Sequence, residues 1–194
     1  GLAGRAALAL ANLSLIQQQL GQWADAESSI QAALALVPAS TEAPTDVWSS
    51  RAQVLSIQGR LYFSQGNNSK AAEVWAQAAN GYGQAGQPRE QAHAQVSQAR
   101  ALQAAGFYER ALAQVQAALI VKPADQITVD ALVTYGDLLR LTGQTSQAQE
   151  TLTEALTLAE TLELPGAISS IYNSLGVLAE AESVEVKAAR SLAW

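Results

Sequence analysis

Apolar and polar residues follow one pattern that recurs four times along the chain. Each copy starts at a Gly and has an Ala five residues later, a larger apolar residue four places after that Ala, and another Ala three places further on. Because residues three and four positions apart share a face of an α-helix, each copy predicts a glycine turn followed by an amphipathic helix. The four glycines are Gly21, Gly66, Gly106 and Gly143, and the four larger residues are Ile30, Trp75, Val115 and Leu152.

A second helical pattern precedes each turn and carries a small residue seven places before the turn glycine. This residue is Ser14, Gly59, Ala99 or Gly136. A Gly in the middle of a helix costs about 1 kcal/mol relative to Ala. Its presence at two equivalent positions therefore predicts that a neighbouring helix crosses there, too close to leave room for a side chain.

The register continues into a fifth copy, because Gly176 lies forty residues after Gly136. Ser183 stands where the turn glycine would be, so we expect a turn there and a second helix after it. The chain opens with Gly1 rather than Met, and Trp194 would fall inside that second helix, so we expect a fragment of a longer protein. The pattern predicts a single array over 1-194, with about four and a half helix pairs at approximately 3-38, 46-84, 88-122, 125-163 and 166-194.

These helix–turn–helix units resemble the tetratricopeptide repeat (TPR). The stretches "LSIQGRLYFSQG" and "AAEVWAQAA" carry the signature residues Leu55, Gly59, Tyr62, Ala71, Trp75 and Ala78. The units depart from the usual length of about 34 residues, since the turn glycines are 45, 40 and 37 residues apart, and Ser14 and Ala99 replace the helix Gly. The resemblance implies an all-α fold, a right-handed α-solenoid of antiparallel helix pairs (TPR-like superhelix). A HEAT-like array is the alternative, but it would not require this recurrent spacing of small residues.

Gln- and Ala-rich units such as "ALANLSLIQQQLGQWADAESSI" also look like the repeat arrays of cyanobacterial CHAT-domain proteins. In that family the repeats precede a caspase-like protease domain. The catalytic Cys–His pair of that domain has no counterpart in this chain, which contains no Cys. The resemblance therefore implies no protease activity for these residues.

Composition narrows the classes of function. The net charge of −6 and the pI near 4.7 disfavour nucleic acid as a partner, because neutralising phosphates requires basic patches. The apolar runs are far shorter than the roughly 18 residues that suggest a membrane span. We therefore expect a soluble protein without a membrane span, either cytoplasmic or periplasmic.

No group of residues in the sequence predicts catalysis, a metal site or a cofactor. His93 is the single His, and Ser97 lies one turn away on the same predicted helix, without the third group that would orient a catalytic base. One His with scattered carboxylates does not form a metal site. The segments "GNNSK" and "GYGQAG" lack the spacing of a phosphate-binding loop. The sequence thus predicts that the protein is not an enzyme.

The candidate binding surface is the exposed face of the first helices, which line the concave side of a solenoid of helix pairs. Arg60 and Arg100 occupy equivalent positions in successive units and are predicted to hold a carboxylate of a protein or peptide partner. The alternative is a solvated face on which Arg100 pairs with Asp137. The candidate residues are Asn12, Gln53, Arg60, Phe63, His93, Ser97, Arg100, Asp130, Thr134, Asp137, Arg140 and Asn173.

Two functions stay open: a scaffold that binds a peptide or protein segment in the concave groove, and a structural spacer or self-assembly element beside a missing effector domain, such as a CHAT domain. A clamp for chaperone C-terminal tails is not expected, because Ala11 and Leu15 replace its two polar anchors. The oligomeric state is left open. Four aromatic residues are expected to pack at the turns between units, namely Trp23, Tyr82, Phe107 and Tyr108.

Overall fold

The four copies of the pattern each form a helix, a turn and a helix. The computed structural model describes residues 1–39, 44–120 and 125–192, with side chains as far as residue 181. This part of the chain contains nine helices and no strand, so the predicted all-α helical repeat fold is confirmed. The helices are α1 (Leu2–Gln19), α2 (Trp23–Leu36), α3 (Thr45–Ser64), α4 (Asn68–Gln84), α5 (Pro88–Ala104), α6 (Tyr108–Leu119), α7 (Gln126–Leu141), α8 (Thr145–Thr161) and α9 (Pro165–Leu192).

The four predicted turn glycines all have left-handed backbone, with φ between 72° and 83°. At the end of α3, Gly66 donates its N–H to the carbonyl of Phe63 at 2.9 Å, and Asn67 donates to that of Tyr62 at 2.8 Å. These bonds satisfy carbonyls that the helix end would otherwise leave unpaired, and a glycine adopts the required backbone without strain. Turns of three residues join α1 to α2, α3 to α4, α4 to α5, α7 to α8 and α8 to α9, so these packed neighbours run antiparallel.

The chain divides into two compact units, Gly1–Phe107 and Tyr108–Trp194. In the first unit α1 packs on α2, α3 on α4, and α4 on α5, and α1 also packs on α3. Much of its core is Ala, and such small side chains let helix backbones approach closely. Its buried side chains include one cluster of Ala7, Ala11, Ile30, Ala33, Val37, Val54 and Ile57, and another of Ala52, Leu55, Ala78, Ala79, Tyr82 and Ala94.

The predicted close crossings are confirmed at both helix glycines. A Cβ atom added to Gly59 would lie 2.7 Å from Nε1 of Trp75, and one added to Gly136 would lie 2.7 Å from Cγ of Leu152. Side chains do not pack at such distances, so the glycines make room for the large residue of the following helix. At the equivalent place in α1, the hydroxyl of Ser14 donates to a backbone carbonyl near the start of α2 at 2.8 Å. In these three pairs, a small residue therefore lies at the point where the first helix contacts the second.

In the second unit, α7 is the central helix and packs on α6, α8 and α9. Helix α9 packs on both α7 and α8, and Ile171 brings it into their shared core. Glu163, in the turn before α9, has left-handed backbone with φ 53°, although it is not a glycine. The buried cluster of this unit consists of Val129, Leu132, Leu152, Ala155, Ala159 and Ile171.

Two features differ from the predicted array. The predicted pair 88-122 is divided between the units, because α5 belongs to the first and α6 to the second. The turn expected at Ser183 is wrong, since α9 continues as one helix from Pro165 to Leu192. A serine does not favour the left-handed backbone that the other turns use, so the helical hydrogen bonding continues through this position.

Candidate functional site

Seven of the candidate residues lie in the first unit, on α1, α3 and α5. They are Asn12 on α1, Gln53, Arg60 and Phe63 on α3, and His93, Ser97 and Arg100 on α5. Their side chains are exposed, apart from that of Ser97, which is half-buried. Helix α1 packs on α3, and Ala94 of α5 belongs to the same core cluster as Ala52 and Leu55 of α3. One packed unit therefore carries all seven residues.

Arg60 lines a cleft of about 150 Å³ at the end of α3. Its side chain is exposed, and its guanidinium makes no hydrogen bond or ion pair with any residue that the structure describes. The indole of Trp23, 41% exposed, lies in the wall of the same cleft. The cleft therefore combines an unpaired guanidinium with an aromatic surface. Its other walls are Leu15, Gln18 and Gln19 of α1 and Ser64 of α3.

A second arginine of α3, Arg51, is used differently. Its Nη1 donates to the carbonyl of Val37 at 2.8 Å and so ties the end of α2 to α3. Burial lowers the pKa of Arg51. This residue lines a separate cleft of about 160 Å³ together with Trp48 and Asn80. Arg51 thus serves the fold, whereas the donors of Arg60 are available to a partner.

The sequence did not identify Leu15, Gln18 or Trp23 as surface residues of a cleft. Of the four aromatic residues expected to pack at turns, Tyr82 is 8% exposed, whereas Trp23, Phe107 and Tyr108 are 41%, 46% and 36% exposed. Gln18 is buried, with its amide nitrogen donating to the hydroxyl of Ser14 at 3.2 Å. Its Oε1 has no partner among the described residues. The exposure of Trp23 could have been inferred from its position directly after the turn. As the first residue of α2, it has few neighbouring side chains to cover it.

Phe63 and Ser97 are engaged within the protein. The ring of Phe63 lies 5.7 Å from that of Trp75, so its inner face packs on α4 while the side chain stays 39% exposed. Ser97 donates its hydroxyl to the backbone carbonyl of His93 at 3.0 Å. That hydroxyl is therefore bonded to its own helix rather than presented to the imidazole as a nucleophile.

The other five candidate residues lie in the second unit: Asp130, Thr134, Asp137 and Arg140 on α7, and Asn173 on α9. Thr134 is 3% exposed and donates its hydroxyl to the backbone carbonyl of Asp130 at 2.7 Å. A buried, internally bonded hydroxyl is not available to a partner, which corrects the assignment of Thr134 to the binding surface. Ile57 holds the equivalent position in α3 and is buried as well. Four residues after Gln53 and Asp130, the positions of Ile57 and Thr134 are therefore turned inward rather than towards the binding surface.

The remaining members of the second-unit set differ in exposure. Asp130, Asp137 and Arg140 are half-buried, and Asn173 is exposed. Arg140 keeps a buried Nε without a partner among the described residues. Arg100 and Asp137, which form an ion pair in the alternative interpretation of this surface, belong to different units.

Neither a metal centre nor a membrane-crossing segment is found in the described part of the chain. Over these residues, no three His, Asp or Glu side chains come together in a way that could hold a metal ion. None of the described helices has the length and apolar character needed to span a bilayer.

Known proteins with related sequences or folds identify the repeats. Residues 9–44 and 129–162 each match the tetratricopeptide repeat family. No curated protein sequence matches the chain significantly. The fold is similar to that of BtubC (BKLC) from P. vanneervenii, with a TM-score of 0.72 and 20% identity over 98% of this chain and 81% of that one.

Two further structures share this fold. Nearly identical TPR-like repeats from Podosopora anserina give a TM-score of 0.69 at 18% identity, over 93% of this chain and 92% of that one. The TPR2AB domain of yeast Sti1, solved as a complex with pHSP90, gives a TM-score of 0.53 at 16% identity, over 89% of this chain and 70% of that one. The TPR character that the sequence predicts is thereby confirmed.

Proposed function

We propose, since the chain carries tetratricopeptide repeats, that it is a non-catalytic scaffold whose first unit binds an extended, acidic segment of a partner protein. Repeats of this kind generally mediate protein–protein interaction, and stacked helix pairs offer long binding surfaces. The Sti1 domain of similar fold forms a complex with pHSP90. These observations support a protein or peptide as the class of partner.

The observation that carries the proposal is the unpaired guanidinium of Arg60 in the cleft between α1 and α3. A guanidinium presents donors in a planar fork that matches a carboxylate. In a protein of net charge −6, Arg60 places a positive charge in a cleft whose other lining residues are uncharged. Leu15 and Trp23 in the cleft walls offer apolar contact to the rest of the bound segment.

The binding mode differs from a clamp for chaperone C-terminal tails. Ala11 is buried and Leu15 is half-buried at the positions where such repeats carry polar anchors. The acidic group is therefore held by Arg60, with Gln53 and His93 as additional hydrogen-bonding residues of the exposed face. Arg100 is the second proposed anchor.

A displayed library of random linear peptides, selected on the full chain, tests the proposal. We expect the selected peptides to contain Asp or Glu, and Arg60→Ala to weaken their binding about tenfold or more by fluorescence anisotropy. A desolvated charge-assisted hydrogen bond contributes roughly 1.5–3 kcal/mol, and tenfold corresponds to about 1.4 kcal/mol. The single variant is preferred to one that also changes Arg100, because Arg100 takes part in an interaction within the protein.

Arg5→Ala is the matched control, since Arg5 is an exposed cation of α1 outside the cleft. It removes the same charge and should leave the affinity unchanged. Both variants should keep the melting temperature of the parent. Selected peptides without acidic residues, or an Arg60→Ala variant that binds as tightly as Arg5→Ala, would remove the basis of the proposal.

A self-assembly role is the second candidate function, and the exposure of Tyr172, Gly176 and Ala179 on α9 favours it. The resemblance to cyanobacterial CHAT-domain arrays would place either function next to a caspase-like domain, which stays a prediction.

A further inference from the structure

One face of α9 is open where the same face of α7 is covered. In α7, the positions of Leu132, Gly136 and Leu139 are buried. Forty residues later, α9 has Tyr172, Gly176 and Ala179 at these positions, and all three are exposed. The opposite face of α9 is packed on the core of the second unit through Ile171 and Leu178. The open face is therefore defined as Tyr172, Gly176 and Ala179.

Gly176 is the central position of this open face. A Cβ added to Gly59 or Gly136 would clash with the large residue seated on it, but one added to Gly176 would meet nothing within 4 Å. Beside it, Leu175, Leu178 and Ala179 form one wall of a groove of about 290 Å³, whose other wall is α8. The place over Gly176 that corresponds to those of Trp75 over Gly59 and Leu152 over Gly136, called the hole below, is therefore not filled by any described residue.

The register identifies the segment that fits this hole. Trp75 lies sixteen residues after Gly59, and Leu152 lies sixteen residues after Gly136. Sixteen residues after Gly176 is Leu192. Both positions belong to the single helix α9, so they are about 24 Å apart along its axis at 1.5 Å per residue. The last turns of α9 therefore correspond in sequence position to the second helix of a pair. Because α9 is continuous, they cannot contact Gly176 of the same chain.

We propose that the C-terminal half of α9 of a second copy of this chain covers the open face of α9, and that the exchange is reciprocal. Two antiparallel α9 helices, related by a two-fold axis near Ser183, bring residue 192 of each copy to Gly176 of the other. This continues the α7–α8 packing by one further pair, with the second helix supplied by the partner copy. The inference does not depend on peptide binding by the first unit.

Reciprocal exchange is favoured over folding back within one chain because it leaves α9 intact. Folding back would break the helical hydrogen bonds around Ser183 and require left-handed backbone at a residue that is not glycine, which is unfavourable. Exchange needs no new turn. A self-complementary two-fold contact of this kind is the usual form of a homodimer.

Cysteine cross-linking tests the proposal directly, because the chain contains no Cys of its own. One copy of the 194-residue chain carries Gly176→Cys and a second carries Leu192→Cys, and the two are mixed under oxidising conditions. We expect a disulfide-linked heterodimer in the mixture. Neither variant alone should cross-link, since identical positions lie about 24 Å apart in the antiparallel pair.

Gly166→Cys mixed with Leu192→Cys is the matched control, because Gly166 is an equally open glycine at the start of the same helix. It should give no cross-link. Sedimentation of the unmodified chain should show a monomer–dimer equilibrium, and Gly176→Leu, which fills the hole, should weaken the dimer at least about tenfold.

Three results would overturn the proposal. The first is an unmodified chain that stays monomeric at every concentration measured. The second is a disulfide that forms within one chain carrying both substitutions while the mixture gives no heterodimer, because this would show that α9 folds back. The third is a dimer without the 176–192 cross-link, which would place the contact on another surface.

Discussion

Single residues decide how closely the helices of a pair approach. At Gly59 the missing side chain lets Trp75 lie against α3, where its indole N–H donates to the carbonyl of Ser56 at 3.2 Å. The ring is 8% exposed, so the contact buries a large apolar surface and also satisfies a polar group. The glycine therefore compensates its poor helix propensity by permitting this contact.

We expect Gly59→Leu and Gly136→Leu each to lower the free energy of unfolding, by about 1–3 kcal/mol or more, because overpacking a filled crossing displaces Trp75 or Leu152. Urea unfolding of the purified variants measures the change. Gly166→Leu is the control, since a side chain there meets nothing within 4 Å. If all three variants unfolded at the same urea concentration as the parent, the crossings would not depend on the missing side chains.

Tyr82 should make stability dependent on alkaline pH. Its burial raises the pKa of the phenol, the charge of Glu90 adds to this effect, and the hydroxyl of Ser56 opposes it. Because the pKa is higher in the folded than in the unfolded state, stability is complete below about pH 10, the ordinary value, and falls as the pH rises through the folded pKa. Tyr82→Phe should lose less stability over this range in thermal melts. Equal losses would mean that other groups cause the alkaline unfolding.

Helices and turns show which structural features the sequence can predict. The turn at Gly66 was predictable because only left-handed backbone ends a helix in this way and glycine adopts it readily. The crossing at Gly136 was predictable because a mid-helix glycine needs a steric reason. The burial of Thr134 was not, since a small rotation of a helix about its axis decides whether such a side chain faces a neighbour or the solvent. The exposure of Trp23 likewise depends on how much of α2's first turn the neighbouring helices cover.

The two turns that flank α8 provide a matched test of backbone strain. Gly143, before α8, has φ 80°, and Glu163, after it, has φ 53°. An L-residue in left-handed backbone costs roughly 1–2 kcal/mol. Gly143→Ala should therefore destabilise the second unit by about 1 kcal/mol, whereas Glu163→Gly should stabilise it by up to about 1 kcal/mol. Thermal melts of both variants check the opposite signs, and a shift of the same sign in both would contradict the strain argument.

The whole molecule consists of two units that each have a buried cluster of their own. In the first unit, one of the buried clusters reaches from Ala52 on α3 to Ala94 on α5, so α5 completes it. A core that is complete within Gly1–Phe107 should fold without the rest of the chain. Repeat structures gain their stability from contacts between neighbouring elements, which makes the last helix of a unit important.

We therefore expect residues 1–107, expressed alone, to be helical by circular dichroism and to unfold cooperatively in urea. Residues 1–84 should be clearly less stable, because the loss of α5 exposes the side of the cluster that contains Ala79 and Tyr82. Equal stability of the two fragments would mean that α5 adds nothing to the unit.

The turn between α4 and α5 lies between two helix pairs, yet it has the same form as the turns within pairs. It contains three residues, and Gly86 has φ 67°. A helix and the turn that follows it therefore end in the same backbone geometry, whether the next helix belongs to the same pair or to the next pair. Unequal recombination at such turns could duplicate or delete a single helix and still leave every remaining turn intact. Along α3 and α4 the smallest structural module is accordingly one helix and its glycine turn, which is half of a helix-pair repeat.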